Sequence, residues 1–270
     1  MAAARKKIAS LMLGLPTPWR ALRNLPILGN LVHNLSHLIL PAEEKVWARV
    51  ERGLGQGLWL ELNPRTGQQY LRGEVEPLIQ QVLSERLKPG MVFFDLGANI
   101  GFFTLLAARL VGVSGKVFSF EPEPGNADRL RRNIARNDFT NVTVIEAGAW
   151  SASGYVNFVA GDPSSPDHGI GKFQTGDRAV SGTPTRCLSL DDFVRSEPCP
   201  DVIKCDVEGA EIEVLHGAEN LITAKRPTFV CEIHSEKNDR SIREYFSRVG
   251  YRLDDVDSMH VLAVPEPVTE

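Results

Sequence analysis

The sequence is short of cysteine, of aromatic residues and of net charge. Its 270 residues include 4 cysteines, 7% aromatic residues and a formal net charge of −4. Cys187, Cys199, Cys205 and Cys231 form no C-x-x-C pair and two of them lie inside apolar runs, as small buried hydrophobes in a reducing compartment do. That usage argues against a catalytic thiol or a zinc site. The slightly acidic balance supplies no global basic field of the kind that nucleic-acid binders carry. No uninterrupted apolar span of about 20 residues occurs, because Pro16, Pro18 and Pro26 break the N-terminal stretch, so no transmembrane helix is expected. Internal repeats are also missing. What is present, 43% hydrophobic and 24% charged residues, is ordinary globular material for one large α/β domain with an extension.

The extension, residues 1–53, reads as helical. Arg5, Lys6, Lys7, Arg20 and Arg23 alternate with Leu, Ile and Trp19, which suits a cap on the main domain or a peripheral contact with a membrane surface or a second copy of the chain. His33 and His37 are one helical turn apart but no carboxylate accompanies them, so a helix face is expected there rather than a metal site. The expected location is cytoplasmic, with the membrane periphery as the alternative.

The main domain runs over residues 54–270. "LWLELNPRTGQQYLRG" reads as two strands around a turn at 63–67, and "EVEPLIQQVLSERLKPG" as a helix stopped at Pro89-Gly90. Beyond it, the strand-like runs "MVFF", "KVFSF", "NVTVIE", "DVIKC" and "PTFVCEI" alternate with helical stretches at 102–111, 125–137, 208–224 and 238–248, and "YRLDDVD" with "HVLAV" reads as a terminal hairpin. That order predicts an α/β fold with a doubly wound, mainly parallel sheet and helices on both faces. Residues 160–185, rich in Gly, Pro, Ser and Asp, are too long for a routine connection and are a candidate substrate loop or lid.

The first strand ends in "DLGANIG". In a doubly wound sheet, ligands gather at the carboxyl ends of strands, where a glycine turn brings backbone N–H groups to a helix N-terminus. The spacing is not Gly-x-Gly-x-x-Gly, since Gly97 and Gly101 are separated by Ala-Asn-Ile, and no Lys-Ser/Thr pair follows. Glu121 ends the next strand about 20 residues on, where a carboxylate accepts ribose hydroxyls. An adenosine-containing ligand without a pyrophosphate satisfies both features, and S-adenosylmethionine is that class of ligand.

At "DLGANIGFFTLLAA", "SFEPEPGNADRLRRNIARN", "DVIKCDVEGAEIEVLHGAENLI" and "PTFVCEIH" the sequence resembles the FkbM family of S-adenosylmethionine-dependent O-methyltransferases. The resemblance covers about residues 70 to 264. It implies a class I methyltransferase fold, Rossmann-like, with seven strands and the last antiparallel, and it includes Asn99 where other loops carry glycine. The implied cofactor contacts are Asp95 toward the methionine part, Gly97, Asn99 and Gly101 in the loop, Glu121 on the ribose, and Ala147 with Gly148 beside the adenine. Glu74 or Glu76 would reach the cofactor's amino group. Against these stand ordinary roles: Asp95 capping a helix, Glu121 on a solvated surface, Trp150 in the core.

Transfer of a sulfonium methyl to oxygen needs in-line placement and help in removing the hydroxyl proton. Asp206 and Glu208 end the fourth strand of the alternating series, while Glu232 and His234 share one face of the fifth. Three readings stay open. Asp206 or His234 is the general base, with Glu208 beside them; or Asp206, Glu232 and His234 hold magnesium or manganese; or Glu208 and Glu211 cap a helix and Glu232 pairs with Lys204. The expected activity is methyl transfer to a hydroxyl of a sugar, glycan or small metabolite. A nucleic-acid methyltransferase, with "RLRRNIAR" lining the cleft, and a non-catalytic cofactor-binding scaffold are the alternatives.

Overall fold

The computed structural model describes residues 45–63, 66–159, 172–173 and 182–267. The basic N-terminal stretch, with His33 and His37, lies outside them. Two compact units divide the chain, residues 1–75 and 76–270.

In the first unit β1 (Val46–Arg49) pairs antiparallel with β2 (Trp59–Leu62), and Val46, Ala48, Leu60 and Leu62 form its buried face. A short helix, α1 (Gln68–Arg72), follows and ends at the left-handed Gly73. Two expectations are corrected here. Residues 68–72 are helix, not the return strand of a hairpin: only Leu71 of that segment is buried, so it has no alternating apolar face to offer β2. The partner of β2 lies upstream at 46–49, in a stretch expected to be helical.

The second unit opens with α2 (Pro77–Arg86), started by a proline at its first position. Its seven-stranded sheet has the order β12-β13-β11-β10-β3-β4-β5. The strands are β3 (Val92–Leu96), β4 (Lys116–Phe120), β5 (Val142–Ile145), β10 (Val202–Cys205), β11 (Thr228–Glu232), β12 (Tyr251–Asp255) and β13 (His260–Pro265). Six pairings build it, four parallel and two antiparallel: β3, β4, β5, β10 and β11 run parallel, and β13 runs antiparallel to both β11 and β12. The central strands are buried along nearly their whole length, as a sheet covered on both faces requires. Connecting helices are α3 (Phe102–Val111), α4 (Pro124–Arg136), α6 (Glu211–His216), α7 (Glu219–Lys225) and α8 (Glu236–Arg248), with the short α5 (Leu190–Phe193) before β10. The single helix expected over 208–224 is two, broken at Gly217 and Ala218.

A second, four-stranded sheet of order β6-β9-β7-β8 stands beside the main one. It consists of β6 (Gly148–Ala149), β7 (Gly154–Val159), β8 (Lys172–Phe173) and β9 (Thr183–Leu188). Trp150, Phe158 and Phe173 cluster in it, with ring centroids 5.0 and 5.2 Å from Phe173. The stretch expected to be one long loop, 160–185, therefore contributes two strands; its remainder lies outside the described residues. All four cysteines are free, and Cys187, Cys205 and Cys231 are buried. Among the described residues no helix is long and apolar enough to cross a membrane.

Candidate active site

The sheet order reverses between β3 and β10, and the site lies at the carboxyl ends of these two neighbours. After β3 the loop amides turn back onto the protein. Gly97 and Ala98 N–H groups both donate to the Phe120 carbonyl, at 3.0 and 2.9 Å, and Asn99 N–H donates to Glu121 Oε2 at 2.7 Å. They are spent on the end of β4, so the loop is no phosphate cradle. Gly97 and Gly101 have φ of +80° and +91°, and a Cβ on the first would run into the Asp206 carbonyl oxygen, on the second into Leu130. Both glycines are required by the close approach of neighbouring elements.

Glu121 is 5% exposed and its other oxygen accepts the Glu123 N–H at 2.9 Å. Burial pushes its carboxyl up to about 7, against the pull of those two amides. The solvated-surface reading of Glu121 is thus excluded. Asp95 is fully buried, its Oδ2 accepting the Thr104 hydroxyl at 2.5 Å. Burial raises its carboxyl, opposed by Lys204. The helix-capping role does not hold either, because α3 starts at Gly101 without a side-chain cap. Asp95 Oδ1 and Asn99 Oδ1 are buried acceptors with no hydrogen-bond partner, and they call for donors from a bound molecule.

A cleft runs between Gly97, Asn99, Glu121, Gly148, Phe173 and Asp206. Of Ala147 and Gly148, the pair expected beside an adenine, Gly148 lines the cleft together with Ala149, whereas Ala147 is fully buried and does not. Trp150 belongs to the core with Cys187 and Ala210. The free volume of the cleft is about 70 Å³, well below the roughly 300 Å³ at which ligand pockets begin. The Phe173 ring packs closely on Gly148, where a Cβ would run into it.

The acidic end of the site grows from β10 and β11. Lys204, buried in the middle of the sheet, extends to Asp206 Oδ2 at 2.8 Å and lies 5.0 Å from the Phe103 ring centroid. Burial opposes its charge, yet Asp206, Glu76 and Asp95 hold the ammonium above its ordinary value. In return, Asp206 is kept below the usual carboxylate range although burial favours its acid form. Lys204 therefore pairs with Asp206, not with Glu232 as one reading had it. Burial pushes Glu232 up to about 8, with the Asp206 charge adding to the shift.

His234 sits among four carboxylates. Its Nδ1 is 3.0 Å from Glu211 Oε1, and its Nε2 is 3.4 Å from Glu208, 3.7 Å from Asp206 and 3.9 Å from Glu232. Against the cost of burial, Glu211, Glu208 and Glu232 raise the imidazole to about 9. That value favours the imidazolium form near neutral pH, which counts against His234 as the general base. Glu208 has the left-handed φ of 55°. Glu211, fully buried, accepts the Val207 and Gly209 amides and the Asn238 side chain at 2.6 Å, so it ties down the loop before α6.

Glu76 lies at the start of α2, its Oε2 3.4 Å from His260 Nε2, while Glu74 makes a surface ion pair with Arg72 at 3.9 Å. Sequence reasoning missed Lys204 as the hub of this end, and missed His260 altogether. The signal for the first was a lysine inside the otherwise apolar run "VIKC". His260 had none, since it enters the site only through its pairing opposite Glu232.

The residues present fit S-adenosylmethionine: a buried carboxylate for ribose hydroxyls, unpartnered acceptors at Asp95 and Asn99, and an acidic end for the transferred group. Sheet order, loop and carboxylate together define a Rossmann-like, nucleoside-cofactor transferase. The chain belongs to the FkbM methyltransferase family: residues 95–253 match the family described as Methyltransferase FkbM domain. It is similar to hexuronic acid methyltransferase AglP of Haloferax volcanii, 33% identical over 66% of this chain and 69% of that protein. It is also similar to 2-O-methyltransferase NoeI of Sinorhizobium fredii, 26% identical over 72% of this chain and 84% of that one, and to 31-O-demethyl-FK506 methyltransferase FkbM of Streptomyces tacrolimicus, 28% identical over 69% and 77%. The chain is an S-adenosylmethionine-dependent methyltransferase.

Proposed function

We propose that the chain methylates a hydroxyl of a sugar or glycan. The observation that carries this reading is the junction of the two ends of the site: the Asp206 carbonyl packs on Gly97 of the glycine loop, and Asp206 lines the same cleft as Asn99 and Glu121. A methyl donor held by Asp95, Asn99 and Glu121 thus abuts an ionised acid. S-adenosylmethionine supplies the methyl group of its sulfonium to an oxygen nucleophile. Asp206 is the group we assign to accept the acceptor's proton; Lys204 keeps it ionised. The cationic His234 neutralises the surrounding carboxylates and stabilises an oxyanion beside them. Gly148 and Phe173 bound the adenine side. The names of AglP and NoeI, a hexuronic acid enzyme and a 2-O-methyltransferase, support a sugar acceptor, and the mild acidity of the chain opposes a nucleic acid.

One observation favours a second reading of the acidic end. Donor atoms of Asp206, Glu232 and His234 lie within 4.8 Å of one another, so magnesium or manganese there would take over the role of the imidazole proton. The test of the main reading is transfer of labelled methyl from S-adenosylmethionine to a panel of uronic-acid and neutral glycosides, with Asp206→Asn as control. Transfer to a glycoside hydroxyl that falls at least about a hundredfold in the variant supports it. Cofactor binding without transfer to any acceptor would return the chain to a scaffold role, and loss on chelation would favour the metal reading.

A further inference from the structure

Next to the site just described lies a second set of polar groups for which the methyl-transfer reading has no use. Glu232 and His260 stand directly opposite each other across the β11–β13 pair. His260 is 5% exposed and its Nδ1 is held by both oxygens of Asp257, at 2.9 and 3.1 Å. Its Nε2 is buried and makes no hydrogen bond, and neither does the buried Glu76 Oε2 that it faces at 3.4 Å. Glu232 Oε2 is 3.8 Å from the same nitrogen. A histidine oriented through one ring nitrogen by a carboxylate, with the other nitrogen left bare between two further carboxylates, is how metal-binding proteins prepare an imidazole ligand. Without hydrogen-bond geometry, the 3.4 Å pair of Glu76 and His260 leaves both buried atoms only partly satisfied, and a cation between them would complete both.

We propose that Glu76, Glu232 and His260 form a divalent-cation site, distinct from the Asp206–Glu232–His234 group and joined to it through Glu232. The three donor atoms lie within 4.8 Å of one another. With bonds of about 2.0 to 2.2 Å, neighbouring ligands around a metal stand roughly 3.0 to 3.5 Å apart, so the 3.4 Å pair of Glu76 and His260 already has that spacing and Glu232, 3.8 Å from the imidazole, must close onto the ion. Two carboxylates and one imidazole suit Mn²⁺ or Zn²⁺ better than Mg²⁺, which rarely takes nitrogen. Three protein ligands leave coordination positions open, the pattern of a catalytic rather than a structural metal. Glu76, 29% exposed at its side chain, is the way in from solvent. The site stands on its own geometry and does not depend on which acceptor is methylated.

The test is titration of the full chain, stripped with EDTA, with MnCl₂ followed by electron paramagnetic resonance of the free ion, and with ZnCl₂ by calorimetry. Wild type is expected to take up Mn²⁺, and Glu76→Gln and His260→Gln each to lose one equivalent or weaken it at least about tenfold, while Asp206→Asn keeps that equivalent. His260 is buried, so its variant is read only with an intact thermal melt; Glu76→Gln, at a partly exposed position, stands without it. No uptake of either ion by wild type up to about millimolar concentration overturns the proposal. So does uptake lost in Asp206→Asn but unchanged in Glu76→Gln, which would assign the ion to the neighbouring group. Binding of S-adenosylhomocysteine is measured on the same samples: its loss in Glu76→Gln with no change in metal uptake would overturn the site and give Glu76 to the cofactor.

Discussion

Glu121 shows how one buried carboxyl couples cofactor binding to pH. Its value of about 7 leaves it part protonated near neutrality in the free protein, and ribose hydroxyls need the ionised form as acceptor. Lowering the pH through 7 therefore removes the binding-competent state. Titration calorimetry with S-adenosylhomocysteine should find affinity about tenfold weaker at pH 6 than at pH 8. Glu121→Gln should abolish that pH dependence and weaken binding at pH 8 by about thirtyfold, or about 2 kcal/mol, the worth of hydrogen bonds to a charged group. Lys204 acts on stability instead. Its ammonium, 3% exposed, is the cation that offsets Asp206, Asp95 and Glu76. Lys204→Met should cost about 3 to 5 kcal/mol in urea unfolding, because it leaves buried carboxylates without their partner. Of these two residues, Glu121 was legible in the sequence as a carboxylate at a strand end a fixed distance past a glycine loop. Lys204 was visible only as an oddity in an apolar run, since Asp206 is near it in sequence but Asp95 and Glu76 come from segments more than a hundred residues away.

Elements were legible where their apolar pattern was strong. The strands "KVFSF" and "VIKC" and the helix at 102–111 were placed within a residue or two, because a strand buried on both faces and a largely apolar helix leave little choice. The stretch around residues 54–73 was misread, because Trp59–Leu62 finds its partner upstream at Val46–Arg49 and local alternation carries no information on which neighbour a strand will choose. The loop between β3 and α3 joins the two halves of the site: its amides fix the end of β4 and its Gly97 lets the β10 loop approach. Gly97→Ala should cost about 3 kcal/mol or more in urea unfolding, from the left-handed backbone and the clash with the Asp206 carbonyl. Calorimetry should show cofactor binding lost with it; retention of both would mean that the loop is free to move.

For the molecule as a whole, β13 is the last strand in sequence yet lies between β11 and β12 in the sheet. Removing it would leave β12 without a partner, expose the edge of β11 and delete His260. A chain ending at residue 258 should show no cooperative thermal transition by circular dichroism, and a cooperative melt would mean that the parallel strands stand alone. The sequence by itself determined the fold class, the alternating strands and helices of the main sheet, and the glycine loop with the carboxylate after it as features of the chain, because these depend on hydrophobic period and on residues within about 30 positions of each other. Only the tertiary structure decided the charge state of His234, the pairing of Lys204 with Asp206 and the meeting of Glu76 with His260. Those depend on burial and on distances between side chains brought together from α2, β10, β11, α6 and β13, and a pKa is set by the groups in space around it, not by its neighbours in the chain.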